Sequence, residues 1–159
     1  MQRRACGGFG PDLVMTDSLA SLPTSGGART VEPALFRLLV DSEIRKAQRL
    51  RYCISVICVS AKPVATESSF IAQFRGQLRA TDVVAPWPPA SLVVLLIDAE
   101  SGDIPAVMRR ITLHLAEGSW WAGGVSYPRA TQVGDDMLRQ AASLMERATQ
   151  DPLKHLYIA

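Results

Sequence analysis

Residues 79–97 read RATDVVAPWPPASLVVLLI, and two strands with the turn between them can be read from this stretch alone. Val83 to Trp87 and Leu92 to Ile97 are rich in the β-branched and large apolar residues that suit a pleated, buried surface. Between them stands Pro88-Pro89-Ala90-Ser91. Proline pre-sets φ for a turn and donates no backbone N–H. A hairpin tip on a sheet can hold a catalytic or binding group in a fixed position. This tip carries neither a carboxylate nor a glycine, so as a catalytic site it is empty.

At 159 residues the chain fits one domain with a sizeable core. Its 17 basic residues against 15 acidic ones leave a net charge of +2, too balanced for non-specific nucleic-acid binding. No apolar run approaches the ~20 residues of a membrane span. The N-terminus MQRRACGGFGPDLVM lacks the ~7–15-residue apolar core of a signal peptide. The expected location is the cytoplasm.

Three cysteines, Cys6, Cys53 and Cys58, form no CxxC pair. Cys53 and Cys58 lie five apart in the apolar run YCISVICVS, on opposite faces of a predicted strand, and read as small hydrophobes of a reduced core. His114 and His155 have no acidic or cysteine neighbours at ligand spacing, so no metal site is expected on them. No cofactor is implied.

In chain order, residues 1–16 are Gly-rich and unpatterned and are expected to form a flexible lead to a domain spanning 17–159. Asp17 to Thr24 reads as a turn-rich loop anchored by two leucines. A helix is predicted from about Pro33 to Arg49, with Leu35, Phe36, Leu39, Val40, Ile44 and Ala47 as its apolar stripe. Arg37, Arg45, Lys46, Arg49 and Arg51 give it a basic face, either a partner surface or simply a solvated one. Tyr52 to Ser60 is apolar almost throughout, as in a central strand covered on both faces. A second helix is predicted from about Glu67 to Leu78, capped by Thr66 or Ser68 and burying Phe70, Ile71, Phe74 and Leu78.

After the hairpin, Asp103 is placed to cap a helix running to about Leu115, with Arg109 and Arg110 facing outward. Gly118 to Tyr127 reads as a strand ended by Pro128. Within it, Gly123-Gly124 suggests a bulge or the close approach of another backbone, and the adjacent Trp120 and Trp121 must face opposite ways. A helix from about Gln132 to Thr149 and a short strand from His155 to Ile158 close the chain. Strands alternating with helices, plus one hairpin, imply an α+β sandwich. Its sheet would be mixed and mainly antiparallel, flanked by helices in the ferredoxin-like or nucleotide-cyclase palm class.

Four segments together resemble the GGDEF, or diguanylate cyclase, family. Asp17-Ser18-Leu19-Ala20-Ser21-Leu22-Pro23-Thr24 is similar to the family's opening DxLTGLPN motif. Arg79-Ala80-Thr81-Asp82 matches its RxxD motif and stands five residues before the hairpin tip, at the family's spacing. Leu92 to Leu96 resembles the strand after the signature, and Gly124-Val125-Ser126-Tyr127-Pro128 the late GVAxFP segment. The departures fall on the catalytic parts. The signature aligns with Pro88-Pro89-Ala90-Ser91-Leu92, which removes the phosphate-approaching glycines and the metal-binding acid. The family's other metal carboxylate falls at about Ser60. Only 21 residues separate Ser60 from Asp82, too few for the family's guanine-contacting stretch. Phosphoryl transfer depends on metal-bound, positioned phosphates, so the resemblance implies a degenerate, non-catalytic domain.

What the resemblance leaves in place is the family's inhibitory site. There the RxxD arginine and aspartate, with an arginine on the helix after the hairpin, bind cyclic di-GMP. In this sequence those positions are Arg79, Asp82 and Arg110. Arginine can bond phosphate or the guanine O6/N7 edge bidentately, and aspartate can accept from guanine N–H groups. The residues alone allow a plainer role: Arg79 as a favourable cation at a helix C-terminus, Asp82 holding the turn into the strand, Arg110 on a wet helix face. The expected function is therefore a cyclic di-GMP-binding regulatory module. The alternative is an interaction or dimerisation scaffold that uses the basic end of the first helix and one of the paired tryptophans.

Overall fold

The computed structural model describes residues 27–62 and 67–159. The lead of residues 1–16, the Asp17–Thr24 segment, Cys6 and the candidate cap Thr66 lie outside the described residues. The elements run β1 (Arg29–Thr30), α1 (Pro33–Leu50), β2 (Ile54–Ala61), α2 (Glu67–Gln77), β3 (Val83–Trp87), β4 (Ser91–Ile97), α3 (Ile104–Ile111), β5 (Trp120–Tyr127), α4 (Gly134–Gln150) and β6 (Leu156–Ile158). They build one six-stranded sheet in the order β1-β3-β4-β2-β5-β6. The pairings β3–β4, β4–β2 and β2–β5 are antiparallel, and the outer pairings β1–β3 and β5–β6 are parallel. The fold is the predicted α+β sandwich with a mixed, mainly antiparallel sheet.

Helices cover both faces of that sheet, which is why β2 is apolar without alternation. On one face α1 lays down Phe36, Val40, Ile44 and Ala47, and α4 lays down Met137, Leu138, Ala141 and Met145. They meet Val56, Cys58, Val93, Leu95 and Val125 of the sheet. On the other face Phe70 and Phe74 of α2 and Ile104, Met108 and Ile111 of α3 pack on Ile57, Val59, Val94 and Leu96. Residues two apart on a strand share a face, so each strand feeds both layers.

Some details depart from the sequence expectations. The edge strand β1 carries no apolar signal. It exists because Arg29 N–H donates to the Asp82 carbonyl at 3.1 Å and Val31 N–H to that of Val84 at 3.0 Å. Leu35 is 42% exposed, because the buried stripe of α1 runs through Phe36, Val40, Ile44 and Ala47 instead. Helix α3 stops at Ile111 rather than Leu115. The Thr112 hydroxyl donates back to the Met108 carbonyl at 2.7 Å, and Leu115 N–H turns to Thr112. Asp103 occupies the N-cap position of α3 but makes no cap bond, since its carboxylate accepts Glu100 N–H at 2.9 Å.

Helix α4 begins at Gly134 rather than near Gln132, where Gly134 N–H donates to Asp41 Oδ1 of α1 at 3.0 Å. At Gly123 the expected close approach is present and no bulge is, since the β2–β5 register runs unbroken. A Cβ at Gly123 would stand 2.2 Å from the Ala141 carbonyl oxygen and 2.4 Å from Met145 N, so α4 seats directly on this strand.

Candidate ligand-binding site

The site begins where α2 gives way to β3. Asp82 N–H donates to the Arg79 carbonyl at 3.0 Å, closing one turn. The Asp82 side chain returns the contact: Oδ2 accepts Arg79 N–H at 2.9 Å, and Oδ1 accepts Ile97 N–H at the end of β4 at 3.2 Å. Asp82 is only 2% exposed. A buried carboxylate bonded to two backbone donors fixes the turn against the hairpin. The Arg79 side chain is left pointing outward by that turn, exposed and without an ion-pair partner among the described residues. Arg110 lies in the last turn of α3, where a cation complements the helix dipole, and it too is exposed and unpaired there.

These three side chains line one cavity of about 340 Å³, together with Asp98, Ala99, Asp103 and Val107. Asp98 follows β4 with φ 52°, a left-handed conformation that Asp adopts more readily than most residues. The cavity thus presents two guanidinium groups beside carboxylates. That mixed lining suits a ligand carrying both anionic and N–H donor groups better than a simple anion.

Ser55 and Ser126 support the cavity floor, and neither stood out in the sequence. They are cross-strand partners in the centre of the sheet, both buried. The Ser55 hydroxyl donates to the Ala99 carbonyl at 2.8 Å, which ties the cavity-lining loop to β2. The two hydroxyls are 2.7 Å apart. A hydroxyl has one proton, so Ser126 donates to Ser55. The available signal was a serine at the second position of a largely apolar strand.

At the other end of the hairpin, Trp87 pairs with Ser91, leaving Pro88-Pro89-Ala90 as the turn. Ser91 pairs with Ser60, and Ser60 in turn with Trp121. The two positions where the family resemblance sets metal carboxylates are therefore directly opposed on neighbouring strands, and both are serines. Among the described residues, no group of three or more His, Cys, Asp and Glu side chains is arranged to hold a metal ion. His114 is exposed, and His155 packs its ring 6.1 Å from that of Trp120 and 6.4 Å from that of Trp121. Cys58 is fully buried; burial, with Glu146 nearby, pushes its thiol up to about 12.

The basic end of α1 is partly neutralised. Lys46 donates to Glu43 at 2.5 Å, and the Tyr52 hydroxyl donates to the same carboxylate at 2.6 Å. Burial pushes the Glu43 carboxyl up, but the bonds from Lys46 and Tyr52 outweigh it and hold the group below its ordinary value. Arg49 and Arg51 remain exposed and unpaired among the described residues.

No protein-family model matches the chain, and no curated protein matches it. Solved structures do. The GGDEF domain of YfiN from Pseudomonas aeruginosa superposes with a TM-score of 0.68 at 20% identity, over 86% of this chain and 92% of that one. The GGDEF domain of DgcB from Caulobacter crescentus, solved in complex with cyclic di-GMP, gives 0.67 at 8% identity, over 82% and 89%. The diguanylate cyclase SiaD from Pseudomonas aeruginosa, in complex with its activator SiaC, gives 0.66 at 12% identity, over 80% and 58%. No helix among the described residues is long and apolar enough to cross a membrane. At such identities the likeness is one of architecture, and the chain is a domain with the GGDEF fold.

Proposed function

We propose that this chain is a catalytically inactive GGDEF-like signalling module that binds cyclic di-GMP through Arg79, Asp82 and Arg110. The observation that carries the proposal is one cavity lined by all three side chains, with both guanidinium groups free of ion pairs among the described residues. The ligand has two phosphates and two guanines. The arginines match the phosphates or the guanine O6/N7 edges, and the carboxylates match guanine N–H groups. DgcB, of the same fold, has been solved with this nucleotide. For inactivity the support is chemical: Pro88 and Pro89 offer no N–H to phosphate, and the paired Ser60 and Ser91 offer no charge to a divalent metal. The domain is taken to span residues 17–159, after a lead of residues 1–16, and to act in the cytoplasm.

One observation favours a second role, an interaction or dimerisation scaffold. The Asp82 carboxylate is already engaged by two backbone N–H groups, so the RxxD pair serves the fold whether or not a ligand comes. The exposed basic end of α1 is its candidate surface; SiaD, of the same fold, has been solved with a protein activator. Arg79→Ala and Arg110→Ala separate the two. Each is expected to weaken cyclic di-GMP binding at least tenfold while leaving any partner or self-association unchanged. Equal loss of both, or of neither, contradicts the assignment.

A further inference from the structure

Another cavity lies at the hairpin tip, at the opposite end of β4 from Asp98. It measures about 500 Å³, within the range of small-molecule sites. Its floor follows from the sheet register: Ser91, Ser60 and Trp121 stand in one cross-strand row on the face that α1 and α4 cover. One row further in, α4 seats directly on Gly123 and leaves no space. At the serine row the floor side chains are small, while α4 continues past it with Met145 and Glu146. Two serines where the neighbouring rows carry Val, Leu and Cys leave a hollow walled by the Trp121 indole.

The charges at this hollow are sparse and opposed. Lys62 lines it, its backbone held by the Ser119 carbonyl at 2.8 Å and its ammonium unpaired among the described residues. Glu146 lines it as well. One cation and one anion in the lining disfavour a polyanion such as a nucleoside triphosphate, and among the described residues no group of acids is there to bring a metal to it. We infer that the hollow at the hairpin tip binds a flat aromatic monoanion, its ring against Trp121 and its carboxylate toward Lys62 and the Ser60 and Ser91 hydroxyls. An indole face favours an offset-stacked ring. A charge-assisted bond from a partly exposed lysine fixes the ligand's direction more than its affinity. The inference does not depend on cyclic di-GMP binding elsewhere.

The test is a titration of the full chain with indole-3-acetate, followed by NMR of the tryptophan indole N–H signals. Neutral indole and GTP with magnesium are the comparison probes. The expected result is saturable binding at about millimolar or tighter, as fits a ligand of this size. Trp121, assigned through Trp121→Phe, should shift most. Lys62→Gln, an exposed change, should weaken indole-3-acetate about threefold to fivefold and leave indole unaffected. Trp121→Ala should weaken both, and if that variant does not fold, Lys62→Gln decides. Absence of saturable binding, shifts confined to Trp87 or Trp120, no effect of Lys62→Gln, or tighter binding of GTP would each overturn the inference.

Discussion

At the scale of single residues, the proposed nucleotide site divides into a part that holds the fold and a part that is free to bind. Asp82 belongs first to the fold, and only the remaining lone pairs of its carboxylate can accept from a ligand. Asp82→Asn replaces one acceptor oxygen with a donor facing a backbone N–H, and is expected to lower unfolding free energy by about 1–3 kcal/mol in urea titrations. Arg79→Ala removes a guanidinium that is exposed and without an ion pair among the described residues, and should change stability by no more than about 0.5 kcal/mol. If Arg79→Ala instead destabilised as much as Asp82→Asn, the guanidinium would be structural. Glu43 gives a pH test. Its pKa is lower in the folded chain than in the unfolded one, so its contribution is present above the ordinary carboxylate value and fades as pH falls through the folded value. Glu43→Gln should therefore cost about 1 kcal/mol at pH 7, and the gap to wild type should close under acid conditions below the ordinary carboxylate range. Arg79 and Asp82 were singled out in the sequence by a motif, and Arg110 by its place on the helix after the hairpin; the structure sets all three around one cavity. The two backbone bonds of Asp82 and the Ser55–Ser126 pair were not legible in the sequence, because each joins residues brought together by strand pairing.

Among the elements, those with strong periodicity or β-branched runs were read to within a few residues: α1, β2, α2, the hairpin and α4. The misread details are ones that tertiary contacts decide. Helix α3 ends early, where Leu115 N–H turns to the Thr112 carbonyl three residues back instead of continuing the four-residue ladder. Strand β1 is made by the Asp82 and Val84 carbonyls rather than by its own side chains. The paired glycines of β5 were ambiguous, and the structure resolves them through the seat of α4. Gly123→Ala forces Cβ into the Ala141 carbonyl and Met145 N, and should destabilise by about 1–3 kcal/mol, read as a fall in melting temperature of several degrees. Gly76, late in α2, has nothing within 4 Å of its Cβ position. Gly76→Ala should raise stability by about 0.5–1 kcal/mol. A tolerated Gly123→Ala would mean that α4 sits farther from the sheet.

For the whole molecule, a sheet covered on both faces carries a different cavity at each end of its central hairpin. The charged one gathers Arg79, Asp82 and Arg110, while the apolar one occupies the end where the family resemblance sets the chemistry. The fold class was legible because the order of strands and helices admits few topologies. The apolar cavity was not, since it depends on Ser60, Ser91 and Trp121 sharing one row of the sheet. The central claim is that the charged cavity receives cyclic di-GMP and that the hairpin tip no longer receives GTP. Calorimetric titration of the chain with cyclic di-GMP, and in parallel with GTP plus magnesium, tests it most directly. The expected result is binding of cyclic di-GMP at about micromolar or tighter, with no heat from GTP. No binding of cyclic di-GMP to folded protein would contradict the claim and leave the scaffold role; binding of GTP would contradict its second half.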